Sequence, residues 1–208
     1  MKTLPDRIVI ATRNRGKVNE IRDLVAGLPV EFLSLDDVPA VPDIIEDGRT
    51  FEENALKKAR AVAHATGITA IADDSGLCVD ALGGRPGVLS ARYHGETATD
   101  EEKCHGILEE LRGVPDADRT ARFVCALALV EPGGEEHLFV ESCEGRIITE
   151  FRGKMGFGYD PIFLYEPAGL TFAEMEREAK NQVSHRGRAL RRLAEFLSDA
   201  NLLVSGQV

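Results

Sequence analysis

A basic surplus is missing from this chain: 25 lysines and arginines stand against 35 aspartates and glutamates, a net charge of −10. Gripping nucleic acid without regard to sequence depends on releasing counterions to many cations. The balance therefore argues against a nucleic-acid binder, and any anionic ligand must be held by a local cluster. Long apolar runs are missing too. Nothing approaches the roughly 20 residues of a membrane-spanning helix, and Met1 to Asp6 lacks the apolar core of a signal peptide, so a cytoplasmic protein without membrane partners is expected. The cysteines, Cys78, Cys104, Cys125 and Cys143, contain no Cys-x-x-Cys pair, which removes the usual zinc and dithiol signatures and leaves thiols as the expectation. No repeat, low-complexity tract or linker divides the 208 residues. A length of this order suits one domain, residues 1–208, able to bury a proper core.

What is present reads as α/β. Ile8-Val9-Ile10-Ala11 is a buried strand, and Val18 to Val25 is a helix with Val18, Ile21, Leu24 and Val25 on one face. Thr50-x-x-Glu53 has the spacing of a capping box for a helix through Ala65, and Thr99-x-x-Glu102 repeats it for a helix closing at Gly113. Arg122 to Val130 and His137 to Glu141 form a hairpin around Pro132-Gly133-Gly134, with a further strand at Glu144 to Thr149. A short strand at Ile162 to Tyr165, a helix opening at Thr171 and a terminal helix from Ser184 to about Ala200 follow. The terminal helix has Leu190, Leu193, Ala194 and Leu197 as its apolar stripe. The order favours a single mixed sheet flanked by helices.

Four stretches carry chemistry. Ile68 to Ile71 reads as a strand running into Ala72-Asp73-Asp74-Ser75-Gly76. Paired carboxylates at a strand end suit magnesium, which needs one or two of them and takes its other ligands from water and phosphates. The same run is also ordinary turn chemistry, with a glycine at positive φ. Arg13-Asn14-Arg15-Gly16-Lys17 lies between a strand and a helix, where unpaired N–H groups and the helix dipole make an anion site. With Thr12, Asn14 and Lys17 it offers a hydroxyl, an amide and an ammonium. It is not a Walker A loop, because Ala11 replaces the first glycine and Val18 follows the lysine. Lys180, His185, Arg186 and Arg188 surround the start of the terminal helix, where cations are electrostatically misplaced unless an anion compensates them. Gly156-Phe157-Gly158-Tyr159-Asp160-Pro161 interleaves aromatics with glycines, either to stack a flat ligand or to pack rings into the core.

Taken together these residues resemble the inosine triphosphate pyrophosphatase family. The likeness lies in Thr12 to Lys17, Glu46 with Gly48 to Ala55, Ala72 to Gly76, Ser90 to Tyr93, Gly156 to Phe163 and Ser184 to Gly187, in order from about Ile8 to Leu197. The resemblance implies one elongated mixed sheet in two lobes with a central cleft. It implies a magnesium-dependent, homodimeric, cytosolic enzyme that converts ITP, dITP or XTP to the monophosphate and pyrophosphate. By motif position, Thr12, Asn14, Lys17 and Lys58 would hold phosphates within a substrate loop that includes Arg13, Arg15 and Gly16. Glu46 and Asp74 would bind the metal, with Asp74 as proton acceptor and Ser75 touching substrate. Phe157, Gly158, Tyr159, Asp160, Lys180, His185 and Arg186 would enclose the base. The rival readings are a related pyrophosphatase for pyrimidine or standard triphosphates and a silent nucleotide-binding module.

Overall fold

A computed structural model describes residues 5–205. Its strands are β1 (Arg7–Ile10), β2 (Glu31–Leu33), β3 (Thr69–Val79), β4 (Thr120–Val130), β5 (Glu136–Ile147), β6 (Phe163–Tyr165) and β7 (Leu170–Thr171). They form one seven-stranded sheet in the order β2-β1-β3-β4-β5-β6-β7. The sheet is mixed: β1 pairs in parallel with β2 and β3, while β6 pairs antiparallel with β5 and β7. The helices are α1 (Arg15–Val25), α2 (Phe51–Thr66), α3 (Asp100–Glu110), α4 (Arg177–Val183) and α5 (His185–Ser205). This is the expected single mixed sheet with helices.

The chain divides into two compact units. The first comprises the described parts of Met1–Asp74, Cys125–Glu141 and Arg186–Val208, and the second Ser75–Val124 with Ser142–His185. In the first, Ile8, Ile10 and Ile71 are buried with Leu127 and Leu129 against Ile21 and Val25 of α1 and Leu190, Leu193 and Leu197 of α5. The unbroken apolar run of β1 is what a parallel strand covered on both faces requires. The second unit has an aromatic core: Phe123 stacks on Phe172 with centroids 5.7 Å apart and tilts on Phe163 at 4.6 Å. None of the four cysteines forms a disulfide.

Several boundaries differ from expectation, each for a local reason. α1 begins at Arg15, three residues before the apolar stripe, because Asn14 caps it: the Asn14 side chain accepts from the Lys17 N–H at 3.2 Å. Three of the five residues of the basic loop, Arg15, Gly16 and Lys17, are therefore first-turn helix. Ala72 to Gly76 is not a turn, since β3 runs unbroken to Val79 and Gly76 is not among the glycines at positive φ. At Thr50 the expected box is only half made. Thr50 caps Glu53, but the Glu53 carboxylate accepts from Arg49 N–H instead. The Thr99–Glu102 box is complete. β5 is one strand where two were expected, and Thr171 ends β7, with the helix delayed to Arg177.

Candidate active site

In the first unit the chemistry gathers around β3. A strand sends successive side chains to opposite faces, and Asp73 and Asp74 accordingly meet different partners. Lys17 donates to Asp73 Oδ2 at 2.9 Å, and Arg186 donates from Nε and Nη2 to the same oxygen at 3.2 Å. Arg186 also donates from Nη1 to Glu20, one turn after Lys17 on α1. Asp74 accepts instead from the amide of Asn54, Nδ2 to Oδ2 at 2.9 Å. Lys58 Nζ lies 3.9 Å from Asp74 Oδ1 and 3.1 Å from Glu46 Oε2. Four carboxylates thus meet three cations, and Asp73, Asp74, Lys58 and Arg186 are buried.

The two neighbouring aspartates are driven in opposite directions. Burial would raise Asp73, but Lys17, Arg186 and Lys58 outweigh it and hold the carboxyl far below the usual range. For Asp74 burial wins: Lys58 and Asn54 offset it only in part, and the carboxyl is pushed above its ordinary value. Burial alone would disfavour the charge of Arg186, yet Asp73 and Glu20 more than compensate.

At the N-terminus of α1, Thr12 Oγ1 accepts from Asn14 N–H at 3.2 Å. No acidic residue enters the first turn, which also contains Gly16. Arg13 is exposed and pairs with Asp43 at 3.2 Å. The side chain of Arg15 lies outside the described residues. Thr12, Asn14, Lys17, Lys58, Glu46, Asp73, Asp74 and Arg186 all belong to the first unit.

The second unit carries the other predicted residues. Gly156 has φ +78°, and a Cβ there would stand 2.0 Å from Asp160 Oδ2, so glycine is required on two counts. That Asp160 oxygen accepts from Phe157 N–H at 2.9 Å and from Lys180 Nζ at 2.6 Å. The Lys180 ammonium also sits 5.1 Å from the Phe157 ring centroid. Gly158, at φ +62°, donates its N–H to Asp100 at the start of α3, and its carbonyl accepts from the Cys104 thiol. Tyr159 is a core residue whose hydroxyl donates to Ser90 O at 2.8 Å. His185 stacks on Phe123 at 4.8 Å. Ser75 follows Asp74 on β3 and is half-buried. The anions that compensate the cations around the start of α5 are protein carboxylates: Asp160 for Lys180, and Asp73 with Glu20 for Arg186.

Sequence reasoning assigned no role to Asn54, Glu20 or Asp100. For the first two a signal existed: Asn54 is four residues before Lys58 on α2, and Glu20 three after Lys17 on α1, so each shares a helix face with a predicted ligand. Asp100 carries no such mark.

A mixed α/β sheet presents adjacent carboxylates from one strand to lysines on two helices, beside a capped helix N-terminus whose first turn carries no acid. Residues 8–196 match the Ham1 family, and the chain belongs to that family. It is 54% identical over 191 residues to a dITP/XTP pyrophosphatase of Geobacter sulfurreducens, covering 92% of this chain and 96% of that one. It is 50% identical to one from Desulfotalea psychrophila, covering 95% and 86%. Among solved structures, a HAM1 protein from Coxiella burnetii superposes with a TM-score of 0.87 at 44% identity, covering 93% of this chain and 98% of that one. A nucleoside-triphosphatase / dITP/XTP pyrophosphatase from Mycobacterium abscessus gives 0.75 at 47% identity, covering 90% and 98%. The family resemblance drawn from the motifs is borne out.

Proposed function

We propose that this protein hydrolyses non-standard purine nucleoside triphosphates, ITP, dITP and XTP, to the monophosphate and pyrophosphate with the aid of magnesium, removing deaminated purines from the nucleotide pool. The names of its relatives support the substrate class. The observation that carries the chemistry is the split between Asp73 and Asp74. One is locked as an anion between Lys17 and Arg186, and the other, on the opposite face of the strand, faces Asn54 and Lys58 and is pushed above its ordinary value by burial.

Glu46 and Asp74 fit a magnesium ion by donor type, since both present carboxylate oxygens to a single positive charge, the Lys58 ammonium. When bound there, the ion would neutralise phosphate charge and polarise the α-phosphorus. In this reading Asp74 accepts the proton of the attacking water, which displaces pyrophosphate. Thr12, Asn14, Lys17 and Lys58 hold phosphate oxygens at the α1 N-terminus, with Arg13, Arg15 and Gly16 completing that loop. Ser75 contacts substrate. Phe157 to Asp160, with Lys180 and His185, serve the base, a donor from His185 or nearby backbone matching the 6-oxo acceptor of hypoxanthine or xanthine and opposing the 6-amino group of adenine; Arg186, expected beside the base, is committed to Asp73 and Glu20. A homodimer in the cytoplasm belongs to the same proposal and rests on the family resemblance.

Asp74→Asn tests the assignment. The variant is expected to fold, because an asparagine oxygen can still accept from Asn54, and to lose turnover of ITP. Wild-type kcat in the folded variant would overturn it.

A further inference from the structure

The amide of Asn54 joins two segments of the candidate site. Asn54 is fully buried on α2. Its Nδ2 donates to Asp74 Oδ2 at 2.9 Å, and its Oδ1 accepts from Gly48 N–H at 2.8 Å. Gly48 lies two residues after Glu46, so one side chain ties the segment carrying Glu46 to the strand carrying Asp74. The approach is close: a Cβ at Gly48 would stand 2.6 Å from Asn54 Oδ1 and 2.9 Å from Glu53 Cβ.

The chemistry calls for an amide. It alone among short side chains offers a donor at one end and an acceptor at the other without charge. An aspartate would set a carboxylate against Asp74, and an alanine would leave two buried polar groups short of a partner. With Oδ2 of Asp74 committed to Asn54, Oδ1 is the oxygen that faces Lys58, and Lys58 in turn meets Glu46.

We propose that Asn54 is a positioning residue that sets the spacing of the Glu46 and Asp74 carboxylates for a divalent cation, with Gly48 as the backbone it must reach. The inference rests on the metal reading above and adds that the strut, and not the carboxylates alone, determines cation affinity. Groups that orient metal ligands typically change affinity by about 10–100-fold when lost.

Mn²⁺ binding, followed by electron paramagnetic resonance of the free ion, reads this without turnover. Asn54→Ala and Gly48→Ala are compared with wild type, with folding checked by circular dichroism. Both variants are expected to bind Mn²⁺ about 10–100-fold more weakly and to recover ITP hydrolysis as metal concentration is raised, which a merely damaged fold would not do. Should Asn54→Ala fail to fold, Gly48→Ala, which leaves every charged side chain in place, decides by the same criterion. A folded variant with Mn²⁺ affinity indistinguishable from wild type overturns the role of Asn54 while leaving the proposed reaction standing. A wild-type protein that binds no Mn²⁺ and releases no pyrophosphate overturns the reaction itself.

Discussion

Two side chains adjacent in sequence, Asp73 and Asp74, differ in everything that matters to their chemistry, and the cause is strand geometry. Asp73 faces half-buried Lys17 and buried Arg186, so neutralising it would remove the carboxylate that both cations share. Removing one partner of such a buried pair costs about 3–5 kcal/mol, and Asp73→Asn is predicted to lose stability of that order in chemical denaturation at neutral pH. Asp74 is ionised against its surroundings. Asp74→Asn is therefore predicted to be at least as stable as wild type at neutral pH, even though it is the variant expected to lose turnover. If the two stabilities were reversed, the assignment of anion and base would have to be exchanged.

The pH dependence of the metal-free protein follows with a definite sign. The folded-state value of Asp73 lies below the unfolded value of 3.8. Its contribution is therefore fully present above that pH and is lost as pH falls through the folded value. The folded-state value of Asp74 lies above 3.8, so its contribution is present below that pH and is lost as pH rises through the folded value. The stability gap between wild type and Asp73→Asn, measured in chelator, is predicted to be constant near neutrality and to close on acidification below 3.8. A gap that widened there would contradict the ion pair.

Among the elements, α2 was the most legible, because Thr50 before the helix and Gly67 after it are strong boundary signals. β3 was the least, because Asp-Asp-Ser-Gly has the composition of a turn and is held extended by side-chain partners far along the chain. These partners, at positions 17, 54, 58 and 186, are invisible to local pattern. The same reason hid Asn54 and Glu20, whose roles depend on what their helices face. The loop before β6 offers a sharper test. Gly156→Ala forces a Cβ into Asp160 and a left-handed φ on alanine, the latter alone costing about 1–2 kcal/mol. We predict lower stability and, because Asp160 holds both Phe157 and Lys180, a raised KM for ITP with a smaller change in kcat. An unchanged KM would remove the loop from base recognition. At the other end, Asn14→Ala should cost about 0.5–2 kcal/mol through loss of the α1 cap, readable in thermal unfolding.

For the whole molecule, the motifs located the residue types while the structure supplied their grouping. Lysines, aspartates and Glu46 share the first unit, and the glycine loop with Lys180 and His185 forms part of the second. In the proposed reaction selectivity would rest on the base, and a site built around a substrate hydrogen bond can reject an analogue lacking it by as much as about 10⁴-fold. The decisive assay incubates purified protein with magnesium and ITP, XTP, GTP or ATP separately, resolving pyrophosphate from orthophosphate. Pyrophosphate release with kcat/KM for ITP and XTP well above that for ATP is the predicted result. Orthophosphate as product, or equal rates on all four, would contradict the account.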